Sequence, residues 1–164
     1  MAVILFSVLL IAIDQLSKYI VILTLKDNPP KIIIEGVLNF FYLENRGAAF
    51  GMLQNKSLLF TIVTVIVIVV LLSILFKDYK RNSLMLNTCI GLILGGSIGN
   101  FIDRIVKGYV VDFISFHIFG YDFAIFNLAD TFIVVGTFLF LLMILFFDNP
   151  REDDHARRIS SRSK

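Results

Sequence analysis

Between Ser57 and Phe76 the chain runs without a charge, a proline or a glycine. A helix needs roughly 20 apolar residues to cross a hydrocarbon core, and this run alone is long enough. Backbone groups in lipid must be paired internally, so a chain with such a run crosses as helices or as a closed barrel. Three further runs reach the same length: Ala2 to Leu25, Leu84 to Val106 and Ala129 to Phe147. The composition agrees, with 57% hydrophobic and 17% charged residues, far more apolar than a soluble domain. The fold class expected is an α-helical membrane protein with four transmembrane helices, forming one domain over residues 1–148. Its longer connections fall at 26–56 and 107–128.

The run from Ser57 reads as plain scaffold, whereas the other three contain or adjoin polar residues and should face one another. Lysine and arginine in short loops set orientation. Lys77, Lys80 and Arg81 lie in the tight connection, and Arg151, Arg157, Arg158, Arg162 and Lys164 in the tail. Both segments are therefore expected on the cytoplasmic side, with the N and C termini, and the two long connections outside. The tail 149–164 is too polar to pack and is expected to be disordered and dispensable. The N-terminal run lacks a basic leading region and a small-residue cleavage site, so it reads as a retained span.

The outer connections carry structure of their own. Lys31 to Ile34 and Val37 to Leu43 are β-branched and aromatic runs separated by Glu35-Gly36, a hairpin signal;. Val110 to Phe113 reads as a further strand, with a turn at Phe119 to Asp122. A small extracytoplasmic β-sheet is expected, and a short surface helix after the small residues Gly47, Ala48 and Ala49.

Two aspartates bracket the second outer connection, Asp112 in the strand-like run and Asp130 at the mouth of the fourth span. Burial disfavours a charged carboxylate, and a second acid nearby raises one pKa further. Such a pair can share one proton, which suits peptide hydrolysis without a metal. The blander reading makes Asn127 and Asp130 helix caps and Asp112 a surface acid. Near the outer end of the third span, Asn100, Asp103 and Arg104 share one face. They either support a site or form a structural ion pair. Asp14 and Lys18 are spaced i,i+4 inside the first span, either neutralising each other or turning inward to brace that polar face. Gly91, Gly95 and Gly99 recur at i+4, the spacing that lets membrane helices pack closely.

Other chemistries are weaker. Gly95-Gly96-Ser97-Ile98-Gly99 matches a serine-hydrolase pattern literally, but it lies inside a helical span and not on a strand-to-helix elbow;. His117 and His155 are isolated and the single Cys89 has no partner, so no cofactor or metal is expected;. A net charge of +2 without a basic face sets nucleic acid aside;. A small proton-coupled carrier and a non-catalytic scaffold remain as alternatives, the carrier weakened because the acids gather at one face.

Five motifs stand in order: Asp14-Gln15-Leu16-Ser17-Lys18, Asn45-Arg46-Gly47-Ala48-Ala49-Phe50, Gly99-Asn100-Phe101-Ile102-Asp103-Arg104, Val110-Val111-Asp112-Phe113 and Phe126-Asn127-Leu128-Ala129-Asp130. Together they closely resemble the motif set of bacterial lipoprotein signal peptidase, or signal peptidase II. The resemblance implies a membrane aspartic endopeptidase acting on diacylglyceryl-modified prolipoproteins and cleaving on the amino side of the lipidated cysteine. It implies Asp112 and Asp130 as catalytic dyad, Asn45, Asn100, Arg104 and Asn127 as polar site residues, and Asp14 as a buried bracing acid. The partners expected are the prolipoprotein and membrane lipid, with the enzyme a monomer in the bacterial plasma membrane.

Overall fold

The computed structural model describes residues 2–47, 57–77, 82–118 and 120–146. Four helices, α1 (Ala2–Leu25), α2 (Ser57–Lys77), α3 (Leu84–Lys107) and α4 (Leu128–Phe146), are long and apolar enough to cross a membrane. Their bounds match the four apolar runs to within a residue or two. The expected surface helix after Gly47, residues 78–81 of the basic connection, and the tail lie outside the described residues.

α3 is the central helix. Its first turns pack with Val3 at the start of α1 and Leu75 at the end of α2 in one apolar cluster, so α1 and α3 run parallel and α2 runs against them. The glycine stripe is the seam with α1. A Cβ built on Gly91 would meet Phe6 Cδ1 at 2.7 Å, and one on Gly95 would meet Leu10 Cβ at 2.8 Å. Small residues let the backbones approach, and the polar groups of α1 come along: Ser7 Oγ donates to Gly91 O at 3.1 Å. α2 has no buried residue beyond Leu75, which suits the scaffold role its uniform apolarity suggested.

At the opposite end of α1 and α3 sits an antiparallel sheet in the order β1-β2-β3-β4, made of β1 (Lys31–Ile34), β2 (Leu38–Asn45), β3 (Val110–Ile118) and β4 (Tyr121–Asp122). Val111, Phe113 and Ile114 of β3 bury against Val21 of α1 and close the end of the bundle. α3 is stopped by Gly108, whose φ of 80° is left-handed and whose N–H returns to Arg104 O at 3.1 Å;. The chain then turns straight into β3. β3 runs on past the strand expected at 110–113 because it has a partner on each side, β2 over most of its length and β4 at its end. Beyond β4 the chain pairs with β3 once more, Ile114 and Phe126 exchanging hydrogen bonds of 2.8 and 3.1 Å. That bridge delivers Asn127 and the start of α4 alongside Asp112.

Candidate active site

Asp112 points from the sheet and Asp130 from the first turn of α4 into one cavity of about 560 Å³. The register explains Asp112: Leu43 pairs with it across β2 and Asn45 with Val110, so all four side chains fall on one face;. Asn45 Nδ2 donates to Asp112 Oδ2 at 2.7 Å, while its own oxygen accepts from Gly47 N at 2.9 Å. Asn127 Nδ2 donates to the other oxygen, Asp112 Oδ1, at 2.6 Å. Both carboxylate oxygens are thus held by neutral amides. Burial first, and then the neighbouring Asp130 carboxylate, push the Asp112 carboxyl up to about 7 against these bonds;.

Asp130 occupies the third position of α4. Asn127 caps the helix, its Oδ1 accepting from Asp130 N at 3.0 Å, and Asp130 Oδ2 accepts from Asn127 N at 3.2 Å. This reciprocal capping box leaves Asp130 Oδ1 to accept from Asn100 Nδ2 at 2.7 Å. Capping and contact with the acid pair are therefore compatible: Asn127 serves as cap through its oxygen and reaches Asp112 through its nitrogen.

Beneath the two acids lies a buried ionic cluster. Lys18 Nζ meets Asp14 Oδ2 at 2.8 Å and Asp103 Oδ2 at 3.2 Å, with all three side chains fully buried. Asp14 Oδ1 also accepts from Ala129 N at 3.0 Å, which satisfies another free donor of α4;. Asp103 accepts from Lys107 at 2.8 Å and from Val111 N at 3.1 Å, tying β3 to the end of α3. Asp14 thus pairs with Lys18 on its own helix and takes the Ala129 N–H at the start of α4. Arg104 lines the cavity without touching either acid among the described residues, and its guanidinium lies 5.7 Å over the Phe60 ring.

The family model for signal peptidase (SPase) II matches residues 6–146. The chain belongs to the signal peptidase II family. Two relatives, both lipoprotein signal peptidases of Staphylococcus aureus, agree with it. One is 39% identical over 154 residues, covering 94% of each chain, and that of strain Newman is 42% identical over 142 residues, covering 87% of this chain and 86% of its own. Two solved structures are similar. A bacterial membrane enzyme determined by the in meso method at 2.3 Å superposes with a TM-score of 0.80 at 36% identity and covers 92% of each chain. Another, at 1.9 Å, gives 0.75 at 37% identity and covers 90% of this chain and 94% of its own.

Within this signal peptidase II fold, six of the seven residues singled out from sequence, Asn45, Asn100, Arg104, Asp112, Asn127 and Asp130, line the cavity or bond directly to its acids. Asp14 stands one layer below. Sequence reading passed over Gln15, which donates to Asp14, Asp103 and the Gly99 carbonyl, and the contact of Lys18 with Asn100 Oδ1 at 2.9 Å. The signal was present, since Asp14, Gln15, Ser17 and Lys18 crowd polar groups into an otherwise apolar span. Ser97 is buried within α3, and His117 pairs with Asp122 at 2.6 Å on β4. The literal serine motif therefore has no base beside it among the described residues.

Proposed function

We propose that the chain is an aspartic endopeptidase that removes the signal peptide from diacylglyceryl-modified prolipoproteins, cutting on the amino side of the lipidated cysteine. The observation that carries this reading is the meeting of Asp112 and Asp130 in one cavity, with Asn127 bonded to both. One carboxylate, ionised, takes a proton from water as the hydroxide attacks the scissile carbonyl carbon. The other, protonated, donates to the developing oxyanion. As the tetrahedral intermediate collapses the second carboxylate takes its proton back from the oxygen, the C–N bond breaks, and the departing nitrogen takes up the proton that the first carboxylate collected. Arg104 and the asparagines orient the peptide backbone and the acids.

The cavity wall supports a lipid-borne substrate. Val134 and Val135 of α4 line the cavity and are themselves exposed on the face that a spanning helix turns to lipid. A substrate anchored by acyl chains reaches the acids sideways from the bilayer without leaving it. The sheet end would lie at the outer leaflet, with both termini cytoplasmic and the enzyme acting as a monomer.

Cleavage of a diacylglyceryl-modified prolipoprotein by the purified enzyme tests the reading. Asp112→Asn and Asp130→Asn should each lower kcat by at least about 100-fold, the lower bound for losing an acid or base, with thermal unfolding little changed. Ser97→Ala should cleave normally. Near wild-type turnover in either aspartate variant would overturn the pair.

A further inference from the structure

Lys18 spends more of its ammonium than neutralisation requires. The side chain is fully buried in α1, and pairing with Asp14 and Asp103 already more than balances its charge. Its third contact is to a neutral group, the Asn100 side-chain oxygen at 2.9 Å. An ammonium has three hydrogens and no acceptor, so three acceptors at 2.8, 2.9 and 3.2 Å use all of them.

That third contact decides which way round the Asn100 amide stands. Its oxygen receives Lys18 and also Asn127 Nδ2 at 3.2 Å, and its nitrogen faces Asp130 Oδ1 at 2.7 Å. Reversing the amide would set N–H against the ammonium and the Asn127 N–H, and oxygen against carboxylate, losing all three bonds. The second hydrogen of Asn127 Nδ2 holds Asp112. Each aspartate is therefore one amide away from the oxygen that Lys18 anchors.

We propose that Lys18 is a positioning residue for peptide cleavage, fixing the Asn100 and Asn127 amides that present N–H groups to Asp130 and Asp112. The proposal rests on reading those two aspartates as the catalytic pair. The charged groups around it are Asp14 on α1, Asp103 and, beyond it, Lys107 on α3, Asp112 on β3 and Asp130 on α4, with Arg104 of α3 acting on the same three acids Asp103, Asp112 and Asp130.

Lys18→Met alone strands two buried carboxylates and endangers the fold, so it is combined with Asp14→Asn, which keeps an oxygen for Ala129 N while removing one charge. The double variants Asp14→Asn/Lys18→Met and Asp14→Asn/Lys18→Gln match in charge and closely in side-chain length, and only glutamine offers an N–H to Asn100. With full-length enzyme and a diacylglyceryl-modified prolipoprotein, the methionine double variant should lose about 100-fold in kcat, the scale of misplaced catalytic groups. Its KM should stay near wild type. Its pH profile should move up by about one unit, because a carboxylate that loses an N–H donor holds its proton longer. Glutamine should recover at least part of the rate and of the shift. Equal losses in both doubles that track their unfolding midpoints, or a wild-type rate and pH profile in the methionine double, would overturn the proposal. Asp112→Asn and Asp130→Asn run in parallel: cleavage by either removes the pair reading itself, whereas their inactivity beside an unperturbed methionine double removes only the role of Lys18.

Discussion

Among the described residues Asp112 is held by two neutral amides and by no cation in direct contact, and that choice of partners matters for the proton. A carboxylate bonded to lysine or arginine is locked ionised, whereas amides orient it and leave burial free to raise its pKa. With Asp112 pushed up to about 7, the carboxyl is protonated below that pH and loses its proton as pH rises through it. A pair that works with one proton should then show a kcat/KM profile whose alkaline limb falls near pH 7. Asn45→Ala removes an N–H that favours the ionised form and should move that limb upward, readable from cleavage rates between about pH 5 and 9. The linkage sign is the reverse of an ion-paired aspartate. Because the folded-state value lies above the unfolded one, the contribution to stability is complete below about pH 3.9 and declines as pH rises toward 7. The two acids were legible in sequence from their apolar company. The Asn45 bond was not, because it depends on the register of β2 against β3, which slips at an irregularity between Phe40 and Leu43.

The same division between pattern and register runs through the elements. Helices were legible because uniform apolarity and length leave few alternatives in a membrane, and the i+4 glycines declared a seam without naming its partner. The partner is α1, and the seam brings Asp14 to the polar end of α3: a Cβ on Gly99 would meet Asp14 Oδ2 at 2.6 Å. A second face was not read. Gly96 lies against Ala129 and Ile133 of α4, and Gly136 of α4 against Leu92 and Ile93, so α3 is notched on both sides. Gly95→Leu tests the seam away from the acids. Overpacking a close contact typically costs 1–3 kcal/mol, and with the Gly95 Cβ position only 2.8 Å from Leu10 Cβ the unfolding midpoint in detergent should drop by several degrees. Loss of activity should follow the loss of folded protein. An unchanged midpoint would mean that α1 and α3 meet along another line.

At the scale of the whole molecule, the buried charged groups are sorted by end, Asp14, Lys18, Asp103 and Asp112 all lying toward the sheet. The three helices with polar residues bring them to the sheet end, where α1 and α3 finish and α4 begins, while the opposite end packs Val3, Leu75, Ile90 and Leu94. The site is made there because the mouth of α4 supplies backbone N–H groups, that of Ala129 to Asp14 and that of Asn127 to Asp130, and a sheet lying across the helix ends supplies an acid at the same depth. What the sequence could not disclose was the return of the chain after β4, since a single Ile114–Phe126 bridge rather than a recognisable strand places Asn127 beside Asp112. Lys77 closes α2 at the end away from the sheet, and the proposed orientation sets that end in the cytoplasm, where positive loops are usually retained;. Placed on a Cys89→Ala background, Lys31→Cys at the sheet and Leu84→Cys at the other end are both exposed positions. A membrane-impermeant maleimide applied to cells with a permeable outer layer and an intact plasma membrane should label the Lys31 variant and reach the Leu84 variant only after lysis. The opposite pattern would put Asp112 and Asp130 on the cytoplasmic side, out of reach of a signal peptide already translocated, and would require a different substrate.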